Sequence, residues 1–299
     1  MMNKKEIKNR VKPVLQYLEA GDTAAALALT KELLAPGEDA TAYGTPVGKI
    51  TAIAEEIGKF GQKRSDIVIP FLKELWRTGV REVRYCVGHA FGDMGKVNYR
   101  EVLPEMYQLM PGVDWEALEA MAWGVGKMVS TNPEAVLPTL ETWAGDENHW
   151  VRKSVSHAMV ILYNKTKLDH LEDILAIMDI LIRDHHNEVR KSIGFVFRSL
   201  CKKAPQRIVE FFTRWLESDD QYVRWNIANG SRNLGKEVLP VLEELARDSR
   251  KLVRRACASA LKDIARKNPD VAPILESWVN HGDEGVKEVV AAALSYMKK

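Results

Sequence analysis

Val151-Arg152-Lys153-Ser154-Val155-Ser156-His157-Ala158-Met159-Val160-Ile161-Leu162 carries the pattern that decides the fold. A Val-Arg pair opens it, and apolar residues follow the Val at offsets 4, 7 and 11. The phrase recurs at Val83-Arg84 (Val87, Ala90, Met94), Val189-Arg190 (Ile193, Val196, Leu200), Val223-Arg224 (Ile227, Gly230, Leu234) and Val253-Arg254 (Cys257, Ala260, Ile264). Val286-Lys287 opens a last copy, with Val290, Ala293 and Met297. A degenerate copy starts at Val113-Asp114 and continues through Ala117, Ala120 and Gly124. At about 100° per residue these offsets share one narrow stripe of an α-helix. The copies lie 30 to 38 residues apart, a period typical of helical pairs that stack on one another. The sequence therefore predicts an all-α helical-repeat solenoid, curved, with its second (B) helices lining a concave inner wall.

A continuous array favours one domain over residues 1–299: N-terminal helices over 1–61, a repeat core over 62–215 and additional repeats over 216–299. Hydrophobic content of 46% and charged content of 28% are ordinary for a soluble chain. A formal net charge of +2 neither demands nor excludes a nucleic-acid partner, so the placement of charge decides. Cys86, Cys201 and Cys257 lack metal-ligand spacing and read as small core residues, which suits a reducing cytoplasm. The basic start Met1-Met2-Asn3-Lys4-Lys5 leads into no apolar run, so neither a signal peptide nor a membrane span is expected.

Residues 4–19 and 23–34 read as a helix pair joined at Gly21-Asp22, and 35–45 as a loop, with Pro46 placed to start the next helix. First (A) helices are expected at Ile67–Arg77, Pro104–Met110, Glu134–Trp143, Leu171–Arg183, Gln206–Leu216 and Val238–Ala246, each B helix beginning at its Val-Arg phrase. The arginines themselves are expected to bond within the stack.

Offsets 2, 6, 9 and 13 lie about 200° around helix B from the apolar stripe. They give Tyr85, His89 and Gly92; Trp115, Glu119 and Ala122; and Lys153, His157, Val160 and Asn164. The remaining rows are Lys191, Phe195, Arg198 and Lys202; Trp225, Asn229, Arg232 and Lys236; and Arg255, Ser259, Lys262 and Arg266. This face interleaves cations with aromatics and holds a single acid, Glu119. Such a wall suits a phosphate backbone and exposed bases, and a protein-binding groove could use the same anchors. Lys153, Lys191, Arg198, Arg232, Tyr85, Trp225 and His157 are the candidate nucleic-acid contacts. Trp115, Glu119 and Phe195 share the same phase and are expected to converge on one wall.

Several stretches resemble a known family in order. They are Tyr43-Gly44-Thr45-Pro46-Val47-Gly48-Lys49-Ile50, Leu75-Trp76-Arg77-Thr78-Gly79-Val80-Arg81-Glu82, Asp114-Trp115-Glu116-Ala117-Leu118-Glu119, Trp150-Val151-Arg152-Lys153 and Glu188-Val189-Arg190-Lys191-Ser192-Ile193-Gly194-Phe195. The chain resembles the HEAT-like DNA alkylation repair glycosylases of the AlkD type over roughly residues 40–215. The resemblance implies a HEAT-like solenoid without cofactor or metal. It also implies a monofunctional N-glycosylase that removes cationic N-alkylated purines from duplex DNA. An alkylated base already carries positive charge and leaves as a neutral molecule. The site's task is then to stabilise an oxocarbenium-like sugar. A carboxylate beside that sugar supplies the field and orients water, and aromatic faces attract the cation. Glu119 would be the carboxylate, with Trp115 and Phe195 as walls.

Three positions depart from the family pattern. Glu119 stands in place of Asp, Phe195 in place of Trp, and Lys153 in place of Arg, the last losing bidentate phosphate geometry. A DNA-binding relative without catalysis, or a scaffold for a protein partner, stays open on these grounds. A monomer is expected.

His185-His186 reads as a solvated turn rather than a metal pair. Gly124-Val125-Gly126-Lys127 reads as close helix packing rather than a phosphate loop. Trp123 and Trp143 are expected in the core, and Trp215 and Trp278 between repeats.

Overall fold

Every copy of the 0, 4, 7, 11 stripe is buried wherever it is described. In the computed structural model, which describes residues 4–37, 44–111 and 115–297, Val83, Val87, Ala90 and Met94 are at most 1% exposed. Val151, Val155, Ala158 and Leu162 are buried in the same way, as are Val189, Ile193, Val196 and Leu200. The stripe continues through Val223, Ile227, Gly230 and Leu234, through Val253, Cys257, Ala260 and Ile264, and through Val286, Val290 and Ala293. Val113-Asp114 lies outside the described residues, but Ala117, Ala120 and Gly124 of that copy are buried. The three cysteines are buried thiols, and burial pushes the Cys86 thiol up to about 12.

The fold is an all-α repeat of helical pairs, with no strand among the described residues. The chain divides into two compact units, residues 1–165 and 166–299. The first holds α1 (Lys4–Glu19), α2 (Thr23–Leu34), α3 (Val47–Gly61), α4 (Ser65–Arg77), α5 (Arg81–Leu109), α6 (Trp115–Thr131), α7 (Pro133–Ala144) and α8 (His149–Thr166). Gly21 turns the chain with φ +78°, and Asp22 caps α2 by accepting the Ala25 N–H at 3.0 Å. Part of the expected 35–45 loop, residues 38–43, lies outside the described residues. Pro46 directly precedes α3, and α1, α3, α5 and α6 pack side by side in that order.

Two expectations need correction here. Helix B at Val83 and helix A at Pro104 are not separated by a turn. They form one element, α5, bent at Asn98 (φ −106°, ψ 34°). The Asn98 amide donates to the carbonyls of Gly61 and Gln62, which holds the bend against the end of α3. B helices other than α6 begin two residues before their Val, as at Arg81, His149 and Asn187.

The expected close helix packing is present between α5 and α6. A Cβ at Gly92 would collide with Gly124 Cα, and one at Gly88 would sit 2.6 Å from the Ala120 backbone. Because the obstruction is backbone, relaxation is difficult. Gly92→Ala is expected to destabilise the protein by about 1–3 kcal/mol, as other overpacking changes do, measured as a lower denaturant midpoint at unchanged slope.

The second unit holds α9 (Leu171–Leu181), α10 (Asn187–Leu200), α11 (Pro205–Arg214), α12 (Gln221–Gly230), α13 (Leu239–Ala246), α14 (Lys251–Lys267), α15 (Ala272–Trp278) and α16 (Glu284–Met297). Here α10, α12, α14 and α16 pack successively.

The repeated arginines are structural, as expected. Arg84 donates to the Trp76 carbonyl at 3.2 Å, and Arg152 to the carbonyls of Asp146 and Glu147 at 2.8 and 2.9 Å. Arg190 lies 4.1 Å from the Tyr222 ring centroid and 5.0 Å from that of Trp225. Arg224 reaches the next turn, its Nε donating to Asp248 Oδ2 at 2.6 Å, while Arg254 donates to the carbonyls of Asp248 and Ser249. Burial alone would raise the Asp248 carboxyl. Hydrogen bonds from the Arg250 side chain and N–H, with the charges of Arg250 and Arg224, hold it at about 2 instead. A carboxyl depressed in the folded state stabilises fully above its unfolded pKa. That stability is lost as pH falls toward the folded value, here between roughly pH 4 and 2. Asp248→Asn is expected to cost about 3 kcal/mol at neutral pH, because it strands the nearly buried Arg224. Acid unfolding should then show a shallower dependence on pH across that window.

Candidate active site

Three of the quoted stretches meet at one pocket of about 430 Å³ in the first unit. Thr45, Pro46, Val47 and Ile50 come from the first stretch, Arg81 and Glu82 from the second, and Trp115, Glu116 and Glu119 from the third. Tyr85, one turn along α5 from Arg81, completes the lining. The loop before α3 approaches closely. Gly44 has φ +91°, and a Cβ there would collide with the Glu82 carboxylate, so both conformation and space call for glycine.

The pocket is acidic, with three carboxylates against the single cation Arg81. Arg81 is spent on Glu116, Nε to Oε2 at 2.6 Å. Glu119 is half-buried and has no hydrogen bond or ion pair from its side chain to any described residue. It stands one helical turn from Trp115, which is 59% exposed. Tyr85 closes the other side. Burial raises its phenol, and the negative charges of Glu119 and Glu116 add to that rise. Trp115, Glu119 and Tyr85 are therefore brought together as their shared phase implies. The pocket can hold a cation beside the rings of Trp115 and Tyr85, with Glu119 and Glu82 left to answer it among the described residues.

The other expected residues have more occupied surroundings. The Lys153 ammonium sits 5.2 Å from the Trp150 ring centroid. His157 Nδ1 is 3.2 Å from the Lys153 carbonyl, and burial, with the Lys153 charge, lowers its pKa and favours the neutral ring. In the second unit Phe195 is 48% exposed on α10. Lys191 is exposed and bonded to Glu188 at 2.8 Å. Arg198 donates to Asn229 Oδ1 at 3.2 Å, with burial lowering its pKa. Arg232 is paired with Asp263, and Trp225 lies against Arg190. Glu188 and Asp263 do not occupy offsets 2, 6, 9 or 13, yet their carboxylates reach cations that do. The face is less cationic than the offsets imply.

Offset 9 is not a wall position in the first unit. Gly92, Ala122 and Val160 are buried there, the first of them where α5 meets α6. Trp143 is buried as expected, but Trp123 is 43% exposed. Ten residues past Val113, Trp123 sits about 90° off the stripe, on its flank rather than in it. Trp215 donates its indole N–H to Asp179 at 2.9 Å. His185 contacts Asp220, the cap of α12, at 2.6 Å, and His186 accepts the Glu188 N–H in its own turn. No metal-binding cluster occurs among the described residues, and no described helix is long and apolar enough to cross a membrane. Sequence reasoning missed Arg81, Glu82 and Glu116 as pocket residues, although all three stand inside the quoted stretches.

Comparison with known proteins follows this geometry. No curated protein matches the chain. Among solved structures, a TOG domain array protein, crescerin, described as regulating microtubules in the primary cilium, is 20% identical over 65% of this chain and 89% of its own, with TM-score 0.46. The MAST/Orbit N-terminal domain is 15% identical over 65% of this chain and 97% of its own, with TM-score 0.47. A designed armadillo repeat protein is 18% identical over 65% and 99%, with TM-score 0.32. At these TM-scores the likenesses carry no argument. Residues 209–295 match HEAT repeats. Residues 14–234, most of the chain, match the DNA alkylation repair enzyme family, and the chain belongs to that family.

Proposed function

We propose that this protein is a DNA N-glycosylase that removes cationic N-alkylated purines from duplex DNA, with Glu119 as its catalytic carboxylate. The observation that carries the reading is a half-buried Glu119, without a side-chain partner among the described residues, in an acidic pocket that Trp115 and Tyr85 also line. A glycosidic bond to a cationic base breaks with the base leaving neutral, so little general-acid help is needed. Positive charge then moves onto the sugar, and a carboxylate whose field is not cancelled by a neighbour stabilises it. Glu116 cannot serve equally, because Arg81 already holds it. Glu119 keeps the charge of the family's Asp on a longer arm. Phe195 is proposed as a further aromatic contact with the substrate.

The test is incubation with methylated duplex DNA under single-turnover conditions, following release of 3-methyladenine and 7-methylguanine. Glu119→Gln keeps size and hydrogen bonding but removes the charge. It is expected to slow excision by roughly 100-fold or more, with DNA affinity nearly intact. Glu119→Asp should keep part of the activity. Equal rates for wild type and Glu119→Gln would remove Glu119 from the mechanism. Salt-sensitive duplex binding without base release would instead identify a non-catalytic DNA-binding relative, and neither signal a scaffold for a protein partner.

Duplex binding is proposed to run mainly through phosphate, with Lys153, Lys191, Arg198 and Arg232 as contacts. If about four phosphates are neutralised, a fourfold rise in salt should weaken binding roughly 100-fold. Reversing the charge of Lys191 and Arg198 should weaken all sequences alike. An affinity indifferent to both salt and charge reversal is incompatible with this mode of binding.

A further inference from the structure

A second cavity in the first unit, of about 670 Å³, lies between α1, α3, α5 and α6, and Pro46 lines it as well as the acidic pocket. The reading above makes no use of it. Among the described lining residues its charge is the reverse of its neighbour's, with Lys4, Lys96 and Lys127 beside Glu55 and Asp93. Each carboxylate is shared by two ammonium groups. Asp93, with only 6% of its side chain exposed, takes Lys96 on Oδ1 and Lys127 on Oδ2, both at 2.6 Å. Glu55 takes Lys4 at 2.8 Å and Lys59 at 2.6 Å.

Lys59 has Glu56 as a second partner at 3.6 Å, but Asp93 alone cannot neutralise both Lys96 and Lys127, so that group keeps an excess positive charge beside the cavity. The cost falls on Lys127. Burial lowers its pKa even though Asp93 pulls the other way. A charge of this kind, partly desolvated and undercompensated, is answered by an anion entering the cavity. Lysine ammonium groups suit phosphate as point charges on flexible stems.

We propose that this cavity binds a phosphate group. The favoured source is the backbone of a polynucleotide strand whose cationic base is addressed in the adjoining acidic pocket, and that choice of source rests on the function proposed above. Tyr85 of one pocket and Asp93 of the other are eight residues apart on α5, about 12 Å along the helix. That span corresponds to roughly three or four steps along one strand. A free phosphate or a mononucleotide offers the same chemistry.

The experiment compares Lys96→Gln, Lys96→Arg and Glu55→Gln with wild type, all checked for an unchanged helical spectrum. Binding to an unmodified fluorescent duplex is measured across a salt series. Stabilisation by inorganic phosphate is measured from thermal unfolding. Lys96→Gln is expected to weaken duplex binding several-fold and to reduce the salt slope by about one, while Lys96→Arg stays near wild type. Glu55→Gln should tighten binding, a direction that simple structural damage does not produce. Duplex and phosphate binding are read without excision, so a wild type that releases no base defeats the glycosylase reading and leaves this one standing. Phosphate stabilisation that depends on Lys96, beside duplex binding that does not, would assign the cavity to a free phosphate. If affinity, salt slope and phosphate stabilisation are all the same in Lys96→Gln, Glu55→Gln and wild type, the cavity is not a phosphate site.

Discussion

Contact between the backbones of α5 and α6 is the constraint on which the pocket depends. At Gly88, Gly92 and Gly124 no side chain intervenes, and any Cβ would strike the opposing helix. The two helices therefore run in close register from their N-terminal ends. Residues at those ends have no choice of neighbour: Arg81, Glu82 and Tyr85 of α5 must share a lining with Trp115, Glu116 and Glu119 of α6. Two acids of α6 then meet one arginine of α5. Arg81 takes Glu116, and Glu119 is left over, as is Glu82 of α5, among the described residues. Carboxylates without a cation follow from backbone spacing and from the count of charges.

The same helices separate charge along their length. At their starts the lining is acidic and aromatic. Further along, Asp93, Lys96 and Lys127 belong to a lining in which lysines outnumber carboxylates. Pro46 stands at the border of both cavities, fixed at the start of α3 by a residue that needs no N–H partner. A ligand with positive and negative parts would be oriented by such a surface before any close contact formed. An alkylated nucleotide within its strand has this character, with a cationic base and anionic phosphates on either side.

The repeat was legible because burial follows periodicity. Val151, Val155, Ala158 and Leu162 are buried for the reason their spacing suggests, and the other copies repeat it. The pocket was partly legible. Trp115, Glu119 and Tyr85 share a helix phase, and the quoted stretches contain nearly every other lining residue. What spacing could not give is the partner of each charge. Lys191 and Arg232 looked like open cations by phase, yet Glu188 and Asp263 reach them from positions that phase does not connect. The lysine cavity was hidden for a similar reason, since Lys4, Lys96 and Lys127 come from three helices and share no motif. The bend at Asn98 depends on carbonyls at the end of α3, 36 and 37 residues earlier. Trp123 was misjudged because a flank position is buried or exposed according to its neighbour, not its own helix.

Charge pairing distinguishes the scaffold from the sites. Along the repeat, arginines at the helix starts are matched: Arg152 and Arg254 by turn carbonyls, Arg224 by Asp248, and Arg190 by the rings of Tyr222 and Trp225. Those matches stabilise stacking and leave little for a ligand to complete. In the two cavities beside Pro46 the matching fails, in opposite senses. Among the described residues, one leaves Glu119 and Glu82 without a cation, and the other gives two lysines to Asp93. Holding such charges apart from their complements costs stability, which the apolar stripe of every repeat can offset. The mismatch falls where an incoming charge would supply the missing partner.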